Sequence, residues 1–250
     1  MIKTTYGQGG QGSGFSRLSS SALRLNDTFW FALNDAQRKK LLKVARPCVY
    51  STRSSLMYQG EESDHVIVIE DGWVKVTATT KGGHEVLLAV RGPGDLIGEG
   101  ALLGSGRPSA TIKALTPVHG FVLHSGRFEN FLNEHPAVWK LVGRTLVQRQ
   151  EGVERRLQAH ISTKGTRRLA ALLVELAEMS AKHVSPSPDG HIPIAPPLSQ
   201  EELGRWIDAS RETVARALNN LRARGLVRTG RRKIVVEDLP GLREFVEIEN

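Results

Sequence analysis

Three textures of apolar and polar residues follow one another along the chain. Residues 1–25 carry Gly7, Gly9, Gly10, Gly12, Gly14, Ser19, Ser20 and Ser21 with almost no apolar pattern, which predicts a flexible tail. Asn34 and Asp35 offer caps to a short helix through Leu41, Leu42 and Val44, which should stop before Pro47. From Pro47 to His124 short apolar runs are punctuated by turn residues: Val66 to Ile69, Asp71-Gly72, Trp73 to Thr79, Gly82-Gly83, Val86 to Val90. Turn signals every 8–12 residues or so, with β-branched residues between them, predict a sandwich or barrel of antiparallel strands. Asp71-Gly72 is the strongest hairpin signal. Further strands are expected from Ser109 to Ala114 and from His119 to Leu123, separated by Thr116-Pro117.

Beyond Pro136 the spacing changes. Val138, Val142, Leu146, Val153, Leu157 and Ile161 recur every three to four residues, interrupted by Arg149, Gln150 and Gly152. A helix of about 25 residues would be nearly 40 Å long, more than one small domain can cover. Such a seam usually finds a partner helix, which predicts a two-fold dimer. The alternative is a helix lying across its own barrel. Gly165 should break this helix, and Thr166 can cap the next, whose Leu169, Leu172, Leu173 and Leu176 form one apolar face. Residues 185–190 read as a loop, and Ile192-Pro193-Ile194 as at most a short strand.

Leu198 to Leu221 reads as helix, turn, helix. Ser199 with Glu202 three residues on makes a capping box, and Leu203, Trp206 and Ile207 form the apolar face. Asp208 and Ala209 make the turn. Ser210 caps a second helix that should bury Val214, Ala217, Leu218 and Leu221 and expose Arg211, Glu212, Arg216 and Asn219. Arginine can donate twice to guanine O6 and N7, and a carboxylate can accept from cytosine N4, so this face suits a DNA major groove. An ordinary solvated face, with Glu212 and Arg216 as an intrahelical pair, would carry the same residues.

Charge separates these readings. The 250 residues hold 34 Lys+Arg against 26 Asp+Glu, a net charge of +8. Such a balance points to a polyanion, either nucleic acid or an anionic membrane surface. Nine basic and four acidic residues lie between Ser199 and Lys233, so five of the eight net charges fall there. Residues 225–236 read as a β-hairpin wing with the basic tip Arg231-Arg232-Lys233, placed to touch phosphates. No apolar run reaches the roughly 18 residues of a membrane span, and no apolar h-region follows Met1, which predicts a cytoplasmic protein. Cys48 is the one cysteine, which excludes an internal disulfide framework or an iron–sulfur cluster. It is a candidate redox thiol, although a lone cysteine at a strand start is more often core. The histidines show no metal-like spacing, and no nucleophile–base pair or carboxylate cluster suggests an enzyme.

Leu198 through Val236 resembles the winged helix-turn-helix of the bacterial cyclic-AMP receptor protein (CRP/FNR) family. The run Ser210-Arg211-Glu212-Thr213-Val214-Ala215-Arg216 matches that family's recognition helix nearly residue for residue. The resemblance implies an α+β chain with four parts. After the tail of residues 1–25 come a jelly-roll, cyclic-nucleotide-binding-like β-barrel (26–136), a dimerisation helix (137–162) and a winged helix-turn-helix domain (163–250). It also implies that Arg211, Glu212 and Arg216 read bases of a palindromic TGTGA-like site, and that Ser199, Gln200, Ser210 and Thr213 contact phosphates. Arg232 would join them from the wing. Double-stranded DNA, a second copy of the chain and RNA polymerase are the implied partners.

The segment Gly92-Pro93-Gly94-Asp95-Leu96-Ile97-Gly98-Glu99 has the wrong spacing for a dinucleotide fingerprint. It reads as tight turns. By resemblance it opens a cyclic-nucleotide phosphate cassette, with Gly98 and Glu99 at a short helix start and Arg107, Ser109 and Ala110 as the remaining effector candidates. Two departures disfavour control by cyclic AMP. Aligned on Glu99 and on Ser109-Ala110-Thr111, the family's phosphate-neutralising arginine is replaced by Pro108. Arg107 comes one residue early, which in an extended segment turns a side chain to the opposite face. Val153 and Glu154 stand where cyclic-AMP binders carry a Thr-Ser pair. The expected function is therefore a homodimeric DNA-binding transcription regulator, with an effector acting through a hinge near Ile161 to Gly165. Alternatives are a vestigial pocket with effector-independent regulation, or a signalling module that docks a partner protein.

Overall fold

A computed structural model describes residues 28–104, 106–162 and 165–247. The Gly/Ser-rich tail and residues 163–164 of the expected hinge lie outside the described residues. The described chain forms two compact units. One runs up to Ala78 and resumes over Val90–Leu146; the other comprises Thr79–Ala89 and the chain from Val147 onward.

Two helices come first, α1 (Phe29–Ala32) and α2 (Asp35–Val44). Asn34 caps α2 in a reciprocal capping box with Gln37, satisfying two backbone donors that a helix start would otherwise leave open. The strands follow as β1 (Arg46–Tyr50), β2 (Ser55–Met57), β3 (His65–Asp71), β4 (Val74–Thr79), β5 (Glu85–Arg91) and β6 (Leu96–Ile97). After the one-turn helix α3 (Glu99–Leu102) come β7 (Thr111–Ala114) and β8 (Val118–His124). They form two four-stranded antiparallel sheets, ordered β1-β8-β3-β6 and β2-β7-β4-β5. The architecture is a jelly-roll sandwich of open sheets rather than a closed barrel.

This topology corrects the strongest hairpin expectation. β3 pairs with β8 and β6, whereas β4 lies in the other sheet beside β7. Asp71-Gly72 is thus the corner at which the chain changes sheets. Gly72 has φ +95°, and a Cβ there would strike the Pro117 carbonyl. The residue was chosen for a close backbone crossing, which leaves the same mark in a sequence as a hairpin turn.

Two apolar clusters fill the first unit. One joins Ile67, Ile69, Val74, Ile97, Ile112 and Val118 from facing strands. The other packs Phe29, Trp30, Leu41 and Leu123 against helix α4 (Ser125–Glu134) and the start of α5 (Pro136–Ser162). Val138 and Val142 are buried in this second cluster. Only the later part of the α5 seam is open, with Val147 at 55%, Val153 at 55%, Leu157 at 59% and Ile161 at 73% exposure. The long apolar stripe therefore divides into a half that lies on the chain's own sandwich and a half that does not.

The remaining elements are α6 (Thr166–Ser180), β9 (Ile192–Pro193), α7 (Gln200–Ile207), α8 (Arg211–Ala223), β10 (Val227–Gly230), β11 (Lys233–Val236) and α9 (Leu239–Glu247). The cap position of α6 is Gly165, without a side-chain cap, and Thr166 is its first helical residue; the expected Thr166 cap is not formed. Leu169, Leu173, Leu203, Val214 and Leu221 are fully buried and make the core of the second unit. β9, β11 and β10 form a three-stranded sheet with β9 at its edge, where Pro193 needs no ladder donor.

Candidate functional site

The site that the second unit builds begins at the turn between α7 and α8. Asp208 ends α7 in the left-handed region (φ 53°), a conformation that Asp tolerates better than most residues. The Ala209 amide then donates to the Gly204 carbonyl at 3.0 Å. A Cβ on Gly204 would collide with Ala209 O, so this glycine is a requirement of the turn that the sequence reading did not single out. Ser199 caps α7 and Ser210 caps α8, the latter accepting from the Thr213 amide at 3.2 Å.

With α8 held by Val214, Ala217, Leu218 and Leu221, its other face is fixed by helix periodicity. Arg211, Glu212 and Arg216 are all exposed. Arg216 Nη2 donates to Thr213 Oγ1 at 3.3 Å, and the Ser210 and Thr213 hydroxyls lie 3.1 Å apart. The Glu212 carboxyl is held below its usual range, chiefly by its own backbone N–H and the Ser210 hydroxyl, with Arg211 and Arg216 adding to the effect. An ionised carboxylate beside two guanidiniums is an acceptor between donors, the pattern needed to read adjacent base edges.

The wing lies beside it. β10 and β11 pair from Val227↔Val236 to Gly230↔Lys233, leaving Arg231-Arg232 as a two-residue tip. Ser199, Gln200, Arg211, Arg231 and Lys233 line a cleft of about 320 Å³ between the start of α7 and this tip. Part of the positive charge expected here is paired with carboxylates. Arg205 is bound to Glu201 at 2.7 Å and Glu85 at 2.6 Å, Arg228 to Glu237 at 3.6 Å, and Arg232 to Glu202 at 3.3 Å. Arg222 Nη1 donates to Thr229 Oγ1 at 3.3 Å, tying α8 to the wing. Arg211 and Arg216 on α8 and Arg231 and Lys233 at the wing tip are exposed, as are Arg222, Arg224 and Arg228.

The effector candidates lie in the first unit. Gly98, in the left-handed region at φ +90°, precedes α3, and Glu99 is buried in its first turn. Met57 and the His65 carbonyl press on Gly98 so closely that a Cβ would not fit. Arg107 lies in the loop that follows α3. Its guanidinium is exposed, donating to the Gly60 carbonyl and to Glu62 Oε1, both at 3.0 Å. In the bends before β7, Pro108 and Ala110 are buried and Ser109 is exposed. On α5, Glu154 accepts from Gln150 at 3.1 Å beside exposed Val153. Cys48 lies against the sandwich core. Burial, aided by the Glu70 charge, pushes its thiol up to about 12. Among the described residues no group of three His, Cys, Asp or Glu side chains is placed to hold a metal ion, and no helix is long and apolar enough to cross a membrane.

Residues 47–135 match the model of the cyclic nucleotide-binding domain, and residues 167–245 that of the Crp-like helix-turn-helix domain. The chain is similar to the CRP-like cAMP-activated global transcriptional regulator of Mycobacterium tuberculosis, at 26% identity over 198 residues covering 79% of this chain and 87% of that protein. It is similar to the cAMP-activated global transcriptional regulator CRP of Pasteurella multocida, at 28% identity over 188 residues, 75% of this chain and 88% of that protein. Among solved structures, a transcriptional regulator of the CRP/FNR family from Thermus thermophilus aligns with a TM-score of 0.65 at 25% identity, covering 82% of this chain and all of that one. FixK2 from Bradyrhizobium japonicum shares the fold, with a TM-score of 0.70 at 20% identity over 83% of this chain and 100% of that chain.

Proposed function

The chain belongs to the CRP/FNR family of DNA-binding transcription regulators, and from that premise we propose that it binds a palindromic TGTGA-like site as a homodimer. The observation that carries this reading is the exposed triplet Arg211, Glu212 and Arg216, held on a fully packed α8 beside the basic wing tip. In it Arg211 and Arg216 donate to guanine, Glu212 accepts from cytosine, and Ser199, Gln200, Ser210 and Thr213 contact flanking phosphates. Pairing of two chains is supported by the open half of the α5 seam, where Val153, Leu157 and Ile161 present apolar surface at helical spacing. Two recognition helices would then enter successive major grooves roughly 34 Å apart. The protein acts by binding rather than catalysis, in the cytoplasm, with RNA polymerase as its further partner.

The same reading holds that the sandwich does not take cyclic AMP as the cAMP-activated relatives do. Arg107 is exposed and donates to Glu62 and Gly60, while Pro108 is the buried residue; in this reading a cyclic phosphate would enter without its charged partner. Gel-shift titration of a TGTGA-n6-TCACA duplex against a scrambled duplex tests the DNA reading; equal affinity for the two would refute it. Calorimetric titration with cyclic AMP, cyclic GMP and cyclic di-GMP tests the effector reading, which micromolar binding of cyclic AMP would overturn.

A further inference from the structure

Arg232 occupies an unfavourable backbone position. It sits at φ 53° in the two-residue wing tip, where glycine or asparagine would be at ease and arginine is not. Its side chain, still 46% exposed, turns back along the cleft toward α7. Nη2 lies 3.3 Å from Glu202 Oε2, across 30 residues of sequence. The Glu202 side chain is only 11% exposed. The same oxygen accepts from the Ser199 amide and the Ser199 hydroxyl, both at 2.8 Å. One buried carboxylate oxygen therefore both closes the capping box of α7 and anchors the wing.

We propose that the Glu202–Arg232 pair is a latch that positions the wing for DNA binding, and that Arg232 serves the complex through this contact rather than as a phosphate ligand. The proposal rests on the DNA-binding reading above. The latch sets the distance from the start of α7 to the wing tip, and so the width of the cleft lined by Ser199, Gln200, Arg211, Arg231 and Lys233. With the tip held, Arg231 and Lys233 and the α7 cap face one stretch of phosphodiester backbone together. The base of the wing is fixed by β9 and by the Arg222–Thr229 contact, so the latch acts on the tip; released, the tip would sample more orientations, and its two outward charges would reach phosphates only part of the time.

The test is DNA affinity and its salt dependence for the full-length protein carrying Glu202→Gln, Arg232→Gly or Arg232→Lys. Glutamine keeps an acceptor for the Ser199 cap but loses the ionic partner. Glycine removes both the side chain and the left-handed strain, so Arg232→Gly should fold at least as well as the unsubstituted protein. Both variants should lose on the order of tenfold in affinity, evenly on cognate and scrambled duplexes, as expected for a charge-assisted bond acting through backbone contacts. Arg232→Lys, which can still reach Glu202, should recover most of the loss. The sign for Glu202→Gln is decisive. It makes the protein more positive, yet the latch predicts weaker binding and a shallower dependence of log K on log salt, because fewer phosphates are held. Tighter binding or a steeper slope would show instead that Glu202 competes with DNA for a phosphate-binding Arg232, and would overturn the latch. If a variant has a lowered Tm, the Arg232→Gly and Arg232→Lys pair still decides, since equal losses in both would also overturn it. Failure of the unsubstituted protein to bind any duplex would remove the DNA reading and the latch with it. Normal binding that Glu202→Gln leaves unchanged would remove the latch alone.

Discussion

Arg211 and Arg107 are both exposed arginines that family resemblance assigns to a ligand, and the structure treats them oppositely. Arg211 opens a helix of 13 residues whose other face is buried, so its direction follows from that of Val214, Ala217 and Leu221. Arg107 lies in a loop, and one residue of displacement turns its guanidinium to Glu62 and gives the buried place to Pro108. A helix carries a functional side chain in register because its core pins all the others. A loop transmits no such constraint, so a binding residue there can be lost while the fold around it persists. On the proposed reading, the second unit keeps its chemistry with its fold, and the first keeps the fold without the phosphate's charged partner.

The severest challenge to this contrast is to loosen α8 itself. Leu221 is fully buried, and Leu221→Ala should cost about 2–5 kcal/mol of stability. Discrimination between cognate and scrambled duplex should fall with it. Urea unfolding and gel-shift on the same preparation check both, and a loss of stability without loss of discrimination would show that the register of α8 does not depend on its core.

The contrast can next be reversed in the loop. Pro108→Arg returns a guanidinium to the buried position, and one charge-assisted bond to a cyclic phosphate is worth about 1.5–3 kcal/mol. Calorimetry should therefore register a tenfold or greater gain in cyclic-AMP affinity. No gain would place the obstacle elsewhere in the sandwich. On α8 the matching change is Arg216→Ala, expected to cost about 1–3 kcal/mol on the cognate duplex and to relax specificity at one base pair. A competition titration over single-base variants checks it; a loss spread evenly over all positions would make Arg216 a phosphate contact.

What could be read from the sequence follows the same division between local and distant constraints. The capping box of Ser199 with Glu202, the turn at Asp208 and the buried face of α8 all depend on neighbours within a few residues, and all were legible. The corner at Gly72 was legible as a turn but not as a change of sheet, because its cause is the Pro117 carbonyl, 45 positions away. Helix α4 buries Phe128, Phe131 and Leu132 at helical spacing, but its ten residues between the last strand and Pro136 were not singled out in the sequence. The stripe on α5 was legible as amphipathic, but its spacing is the same whether a position faces the sandwich, as Val142 does, or lies exposed, as Leu157 does. The bond from Arg232 to Glu202 spans 30 residues and leaves no mark in either local pattern.

The smallest expected effect on DNA binding bears on whether the first unit responds to a redox signal. Cys48 is the one thiol available for redox sensing. A sensing thiol needs thiolate at ambient pH, and with the group pushed up to about 12 by burial and by Glu70, roughly one part in ten thousand is ionised at pH 8. Its environment acts in the direction opposite to activation, since the nearby charge is a carboxylate and its contacts are strand side chains of the core. Labelling with a disulfide reagent at pH 8 should therefore be at least about a hundredfold slower in the native protein than in urea. Cys48→Ala should leave DNA affinity unchanged with or without peroxide. Rapid native labelling, or peroxide-dependent binding abolished by Cys48→Ala, would return a signal to the sandwich and weaken the contrast between the two units.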